Sequence, residues 1–242
     1  MPRPRDLKEI YQRLYRRFGP QHWWPGRTKF EIIVGAVLTQ NTNWGNVEKA
    51  IANLRAGRVL NFQGIHELST AKLAKMIRPS GYFNVKAERL KNLINFMMKE
   101  YGGSLAKMQR ESLETLRPKL LSVNGIGPET ADSILLYALE KPVFVIDAYT
   151  RRIFYRHNLS AHDADYHELQ KVFMEGLSHD VKSFNEYHAL IVRLGKDFCR
   201  PRASCEQCPL NDFRYSLKNK CASCHRGLLS HGSKCVVCER RQ

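Results

Sequence analysis

Apolar residues recur at helical spacing along nearly the whole chain. Leu7, Ile10, Tyr11, Leu14 and Phe18 predict a helix over 6–18, and Phe30, Ile33, Val34, Val37 and Leu38 predict another over 29–39. The same periodicity predicts helices near 44–55, 70–77, 84–101, 111–121, 128–139, 148–157, 165–177 and 183–196. Breakers fall between them at Gly57, Gly64, Pro79-Ser80-Gly81, Gly102-Gly103 and Asn124-Gly125. Only Val143–Ile146 looks strand-like, and it is too short to found a sheet. There is no internal repeat, and the expected class is all-α.

One junction between helical patterns carries more chemistry than the others. Leu113, Leu116, Leu120 and Leu121 close one pattern, and Ala131, Ile134, Leu135 and Ala138 open the next. Between them stands Val123-Asn124-Gly125-Ile126-Gly127-Pro128. Glycine tolerates positive φ, so a Gly-Ile-Gly hairpin can turn tightly and present backbone N–H groups. Those groups, with the start of the next helix, suit a phosphate. Pro128 fits the first helical turn, where its missing N–H costs nothing. Asp147 follows eighteen residues after Glu129, at the end of the apolar run. By itself Asp147 could be a helix N-cap.

Charge sharpens this picture. The 242 residues can hold one large or two small domains, and the net charge of +16 points to a polyanion. No apolar run is long enough to span a bilayer, and the first residues lack the apolar core of a signal peptide. The expected setting is intracellular and cytoplasmic, with nucleic acid rather than a membrane as partner. All seven cysteines lie between Cys199 and Cys238. Clustering at C-x2-C spacing in an intracellular chain favours metal over disulfides.

The combination L-x-x-V-x-G-I-G-x-x-T-A with a downstream aspartate resembles the helix-hairpin-helix DNA glycosylases of the endonuclease III superfamily, over roughly residues 5–210. The resemblance implies two helical domains flanking a DNA-binding cleft. One is a bundle of residues 22–138 carrying the hairpin, and the other combines 1–21 with 139–198. An iron–sulfur loop at 199–221 and a cysteine-rich tail at 222–242 would follow. Gly125, Ile126, Gly127 and Thr130 become the DNA-binding hairpin. Asp147 becomes the carboxylate that stabilises an oxocarbenium-like transition state and helps activate water. Asp132, Asp163, Asp165 and Asp180 are expected as surface charges or caps.

Bifunctional members place a lysine two residues after the second hairpin glycine, where its amine attacks the sugar. Glu129 holds that position here, and a carboxylate cannot form an imine. Lys119 and Lys141 are the nearest lysines in sequence. The target base must leave the duplex, and in Leu38-Thr39-Gln40-Asn41-Thr42 the resemblance makes Gln40 the residue that fills the vacated stack. Trp23-Trp24-Pro25, Lys29-Phe30-Glu31, Gly35–Thr42 and Arg78-Pro79-Ser80-Gly81 look like the bacterial 3-methyladenine DNA glycosylase branch. Trp24 and Trp44, then Trp23, are the stacking candidates, with Tyr82 and Phe83 nearby and Phe30 assigned to the core. Aromatic faces attract a cationic methylated base by roughly 0.5–2 kcal/mol.

Cys199-x5-Cys205-x2-Cys208 resembles the first three ligands of the family's [4Fe–4S] loop, with Cys221 as fourth. The spacing departs from the usual C-x6-C-x2-C-x5-C, most at the last gap. Cys221-x2-Cys224-x10-Cys235-x2-Cys238 competes for the same cysteine as a zinc ribbon. His225 or His231 could complete one of the sites. Arg200, Arg202, Arg214, Lys218 and Lys220 add charge for phosphate contact. The expected activity is a monofunctional DNA glycosylase of base excision repair, hydrolysing the glycosidic bond of alkylated purines. The alternatives are a bifunctional glycosylase and abasic-site lyase for oxidised pyrimidines, and a non-enzymatic helix-hairpin-helix DNA-binding protein.

Overall fold

The computed structural model describes residues 2–213. Twelve α-helices follow one another among them: α1 Pro4–Phe18, α2 Lys29–Leu38, α3 Trp44–Ala56, α4 Phe62–Glu67, α5 Thr70–Met76, α6 Phe83–Tyr101, α7 Leu105–Arg110, α8 Leu113–Leu121, α9 Pro128–Ser133, α10 Ala148–Arg156, α11 Tyr166–Gly176 and α12 Val181–Asp197. A 3₁₀ turn spans Arg78–Ser80, and a π-helical turn, Ile134–Ala138, continues α9. The described residues contain no strand. Val143–Ile146 is a buried, non-helical connection instead. The short helices α4 and α7 have too few turns to show a period in the sequence, so the spacing did not predict them.

The chain divides into two compact units, one formed by Trp24–Val143 and the other by both chain ends, up to Trp23 and from Phe144 onward. In the first unit, α2 is buried from Phe30 to Leu38, because residues 32–38 are apolar on every face and only a central position suits them, while the buried Glu31 pairs with Arg55 at 2.8 Å. It packs on α3, α6, α9 and the π turn. Side chains of Thr28, Asn43, Asn61, Ser69, Ser104 and Ser112 cap the helices that follow them. Phe30 is buried against Phe62, with ring centroids 4.5 Å apart.

In the second unit, α1 packs on α11 and α12, and α10 packs on α12. Phe144 stacks on Phe173 at 3.8 Å and receives the edges of Phe184 and Tyr187. The buried Tyr187 hydroxyl donates to the Leu7 carbonyl at 2.8 Å, tying the N-terminal helix to α12. Asp165 and Asp180 are N-caps, as the sequence suggested.

Asp132 departs from its expectation as a surface charge or cap. Its side chain is fully buried and receives two hydrogen bonds from Arg117, at 2.7 and 3.0 Å. This bridge fastens α8 to α9 on either side of the hairpin. Arg117→Met removes both of these hydrogen bonds from the buried carboxylate and is expected to cost about 3–5 kcal/mol. Asp132→Asn should cost less, because the Arg117 side chain is 20% exposed and can turn to water. Urea-unfolding midpoints of the two variants check this order.

Candidate active site

The hairpin joins α8 to α9 through residues 122–127. The Ile126 N–H bonds to the Val123 carbonyl at 3.0 Å and closes the turn. Gly125 sits at φ +89°, a conformation that side-chain-bearing residues rarely adopt. Ile126 points inward and is buried, so it anchors the turn and offers only its backbone to a ligand. Gly127 is exposed and extended, and a Cβ there would meet nothing within 4 Å. A ligand can therefore approach its backbone closely. Glu129 is exposed on the first turn of α9, whereas Thr130 is buried.

Gln40 is tied to this hairpin. Its Nε2 donates to Thr130 Oγ1 at 2.9 Å and to the Gly125 carbonyl at 3.4 Å, and its Oε1 accepts from Arg89. Lys86 braces the same region from below. Its buried Nζ donates to the Leu38 carbonyl at 2.8 Å and the Ser80 carbonyl at 2.6 Å. Burial, with Arg89 nearby, pushes its pKa down to about 8. Thus the end of α2, the 3₁₀ turn and the hairpin are held together by side chains.

Trp24 and Trp44 meet edge to face with centroids 5.5 Å apart, and Tyr137 lies 4.9 Å from Trp24. Gly35 makes room for them, since a Cβ there would lie 3.4 Å from the Trp44 ring and 3.5 Å from Trp24 Nε1. The Trp44 indole N–H is buried with no hydrogen-bond partner among the described residues. Tyr137 escaped the sequence reading because its helical position looks like core. It sits in the π turn, and such turns recur at functional sites. Trp23 belongs to the other unit, where Lys196 Nζ lies 5.4 Å from its ring. Tyr82 is 73% exposed at φ +45°, and Phe83 packs beneath Arg78.

Asp147 is the N-cap of α10 and is buried. Its Oδ1 accepts from the Thr150 N–H at 2.7 Å and the Thr150 hydroxyl at 2.8 Å. Oδ2 lies 3.7 Å from His188 Nε2 on α12, an electrostatic neighbour rather than a hydrogen-bond partner. Sequence reading missed His188 because it falls on the buried face of α12, among Phe184, Tyr187 and Ile191. Burial pulls the His188 pKa below its ordinary 6.5, against the opposing charge of Asp147. Histidine therefore folds neutral, while the unfolded chain gains a proton as pH falls through 6.5. The stability this group contributes is complete above that pH and declines below it. His188→Gln should flatten the acid side of a stability–pH profile measured by urea unfolding.

Of the predicted cluster ligands, Cys199 is buried and Cys205 and Cys208 are partly exposed. Arg156 Nη1 donates to the Cys199 sulfur at 3.3 Å, and Arg152 Nε donates to the Cys199 carbonyl at 2.7 Å. A backbone bond from Ser204 to Phe198 closes the intervening loop at 2.9 Å, and one from Cys208 to Cys205 closes the next turn at 3.1 Å. Among the described residues, no three His, Cys, Asp or Glu side chains converge as a metal-holding group. Cys221, Cys224, Cys235 and Cys238 lie outside the described residues, as do Arg214, Lys218, Lys220, His225 and His231. No helix among the described residues is long and apolar enough to cross a membrane.

Among the described residues, an all-helical fold carries a glycine hairpin and, eighteen residues after Glu129, a capping aspartate. Residues 34–179 match the pattern of the HhH-GPD superfamily base excision DNA repair proteins. The chain is 47% identical over 209 residues to the "Putative DNA repair glycosylase" of Methanocaldococcus jannaschii, covering 86% of this chain and 94% of that one. The structure of the H. pylori 3-methyladenine DNA glycosylase MagIII bound to 1,N6-ethenoadenine is similar at a TM-score of 0.67 and 33% identity, covering 80% of this chain and 95% of that one. A trapped endonuclease III–DNA covalent intermediate shares the fold at a TM-score of 0.75 and 19% identity, covering 87% and 94%. The chain belongs to the HhH-GPD superfamily of base excision DNA repair proteins, and its enzymatic class is that of the DNA N-glycosylases.

Proposed function

We propose that this glycosylase is monofunctional and releases alkylated purines, 3-methyladenine first, by attack of water on the sugar. The observation that carries the substrate choice is the aromatic group of Trp24, Trp44 and Tyr137, with both indoles against Gly35. A base methylated at N3 is cationic, so aromatic faces attract it, and the buried Trp44 N–H offers it a hydrogen bond. Such a base is already a good leaving group and needs selective stacking more than a strong general acid. Likeness to a 3-methyladenine glycosylase at 33% identity supports the same choice.

Glu129 supports the use of water, because it occupies the position at which a lyase carries its lysine. The nearest substitutes are engaged elsewhere: Lys119 pairs with Glu111 at 2.7 Å, and Lys141 donates to the Gln109 carbonyl at 2.8 Å. In this reading Asp147 stabilises the positive charge that develops on the sugar, with His188 as its neutral neighbour. Gly125 and Gly127 dock a backbone phosphate. Gln40 fills the stack vacated by the flipped base, which requires it to leave the hairpin on binding. The partner is double-stranded DNA containing the damaged base, and the enzyme acts as a monomer.

Borohydride reduction during turnover tests the monofunctional assignment. No covalent enzyme–DNA adduct is expected, and efficient trapping would mean a lysine nucleophile and a lyase.

We also assign Cys199, Cys205, Cys208 and Cys221 to a [4Fe–4S] cluster that fixes the loop after α12, its iron held by thiolates. Arg156 would then support the Cys199 thiolate. Iron near four atoms per chain with broad visible absorbance is the expected analysis of anaerobically purified protein. Zinc without iron would favour the Cys221, Cys224, Cys235 and Cys238 ribbon.

A further inference from the structure

Arg89, on α6, faces the hairpin. Its aliphatic stem lies across Gly125, where a Cβ would come within 2.2 Å of Arg89 Cγ and 3.0 Å of Cδ. Its Nη1 donates to Gln40 Oε1. The Gln40 amide nitrogen is already committed to Thr130 and Gly125, so both ends of that amide are in use. Arg89 itself is only partly served. Its other guanidinium nitrogens meet no acceptor among the described residues, and no carboxylate pairs with it there. A full positive charge is therefore held beside Gly125 by a neutral amide alone.

We propose that Arg89 is a ligand for a DNA backbone phosphate at the hairpin, and that it exchanges its bond with Gln40 for one with the phosphodiester as the duplex docks. A guanidinium binds an anionic phosphate more strongly than a neutral amide, and in a fixed planar geometry. The exchange removes one of the three ties that hold Gln40 on the hairpin. Phosphate docking thereby loosens the side chain that the glycosylase reading sends into the duplex. The inference rests on that reading for its use of the hairpin, and not on which base is removed.

Anisotropy titrations of an undamaged duplex at several salt concentrations test it. Arg89→Met keeps the stem across Gly125 and removes the charge, so the slope of log K against log salt should fall by about 0.9, the share of one phosphate contact. Arg89→Gln should give the same fall and serves if the methionine variant does not fold. Arg89→Lys and Gln40→Ala should keep the wild-type slope. Lys99→Met removes a charge that is 84% exposed at the far end of α6, and it should leave the slope unchanged. An unaltered slope in both neutral Arg89 variants, or an equal fall in Lys99→Met, overturns the proposal. A wild-type protein that released no base yet showed the Arg89-dependent slope would refute the catalytic reading and leave this one standing.

Discussion

Asp147→Asn is expected to lower base release by about 10²–10³-fold or more, a loss like that caused by removing one preorganised group facing transition-state charge. Duplex binding and the melting temperature should stay near wild type. The substitution separates chemistry from folding because asparagine caps a helix about as well as aspartate. Its amide oxygen can still accept from the Thr150 N–H and hydroxyl, as Oδ1 does now at 2.7 and 2.8 Å. What disappears is the negative charge. Asp147→Ala is a less clean variant, since losing the cap costs about 1 kcal/mol in its own right. Single-turnover release measured beside a thermal melt distinguishes the two effects. Unchanged release in Asp147→Asn would return the residue to a purely structural cap.

Gly125→Ala should produce the second large effect, on both folding and DNA affinity. The residue sits at φ +89°, and an added Cβ would also lie 2.2 Å from Arg89 Cγ. The backbone strain alone is worth about 1–2 kcal/mol, and relieving the collision displaces Arg89 from Gln40. Gly127→Ala makes the contrast. Its backbone is extended and a Cβ there meets nothing within 4 Å, so stability should be kept. The methyl group would nevertheless stand between the exposed backbone and an incoming phosphate. Duplex affinity is expected to fall about tenfold in Gly127→Ala, the equivalent of roughly 1.4 kcal/mol, with no matching loss of stability. Equal affinity in Gly127→Ala and wild type would exclude close phosphate approach at that glycine.

Much of this molecule was legible before any coordinates. Helical periodicity located the long helices, and the apolar run over residues 32–38 made α2 central because a run without a polar face has nowhere else to lie. The hairpin was legible because the geometry itself demands glycine: only a residue without Cβ fits φ +89° beneath Arg89. Contacts between distant parts of the chain were not legible. The burial of Asp132 depends on Arg117 reaching it from the preceding helix. Trp23 and Trp24 are neighbours in sequence and yet belong to different units, which adjacency alone cannot reveal. His188 carries the spacing of a core position, so its proximity to Asp147 had no signature. The ties on Gln40 were hidden for the same reason, since they come from residues 85 and 90 positions away and from Arg89 on another helix.

We infer that the aromatic group of Trp24, Trp44 and Tyr137 selects a cationic alkylated purine and that water, not a lysine, completes its removal. Single-turnover incubation with two end-labelled duplexes tests it most directly, one carrying 3-methyladenine and the other an oxidised pyrimidine. On this reading, free 3-methyladenine, a DNA strand left intact until alkali is added, and little release from the oxidised duplex are expected. Preferential release of the oxidised pyrimidine with concurrent strand cleavage would contradict it.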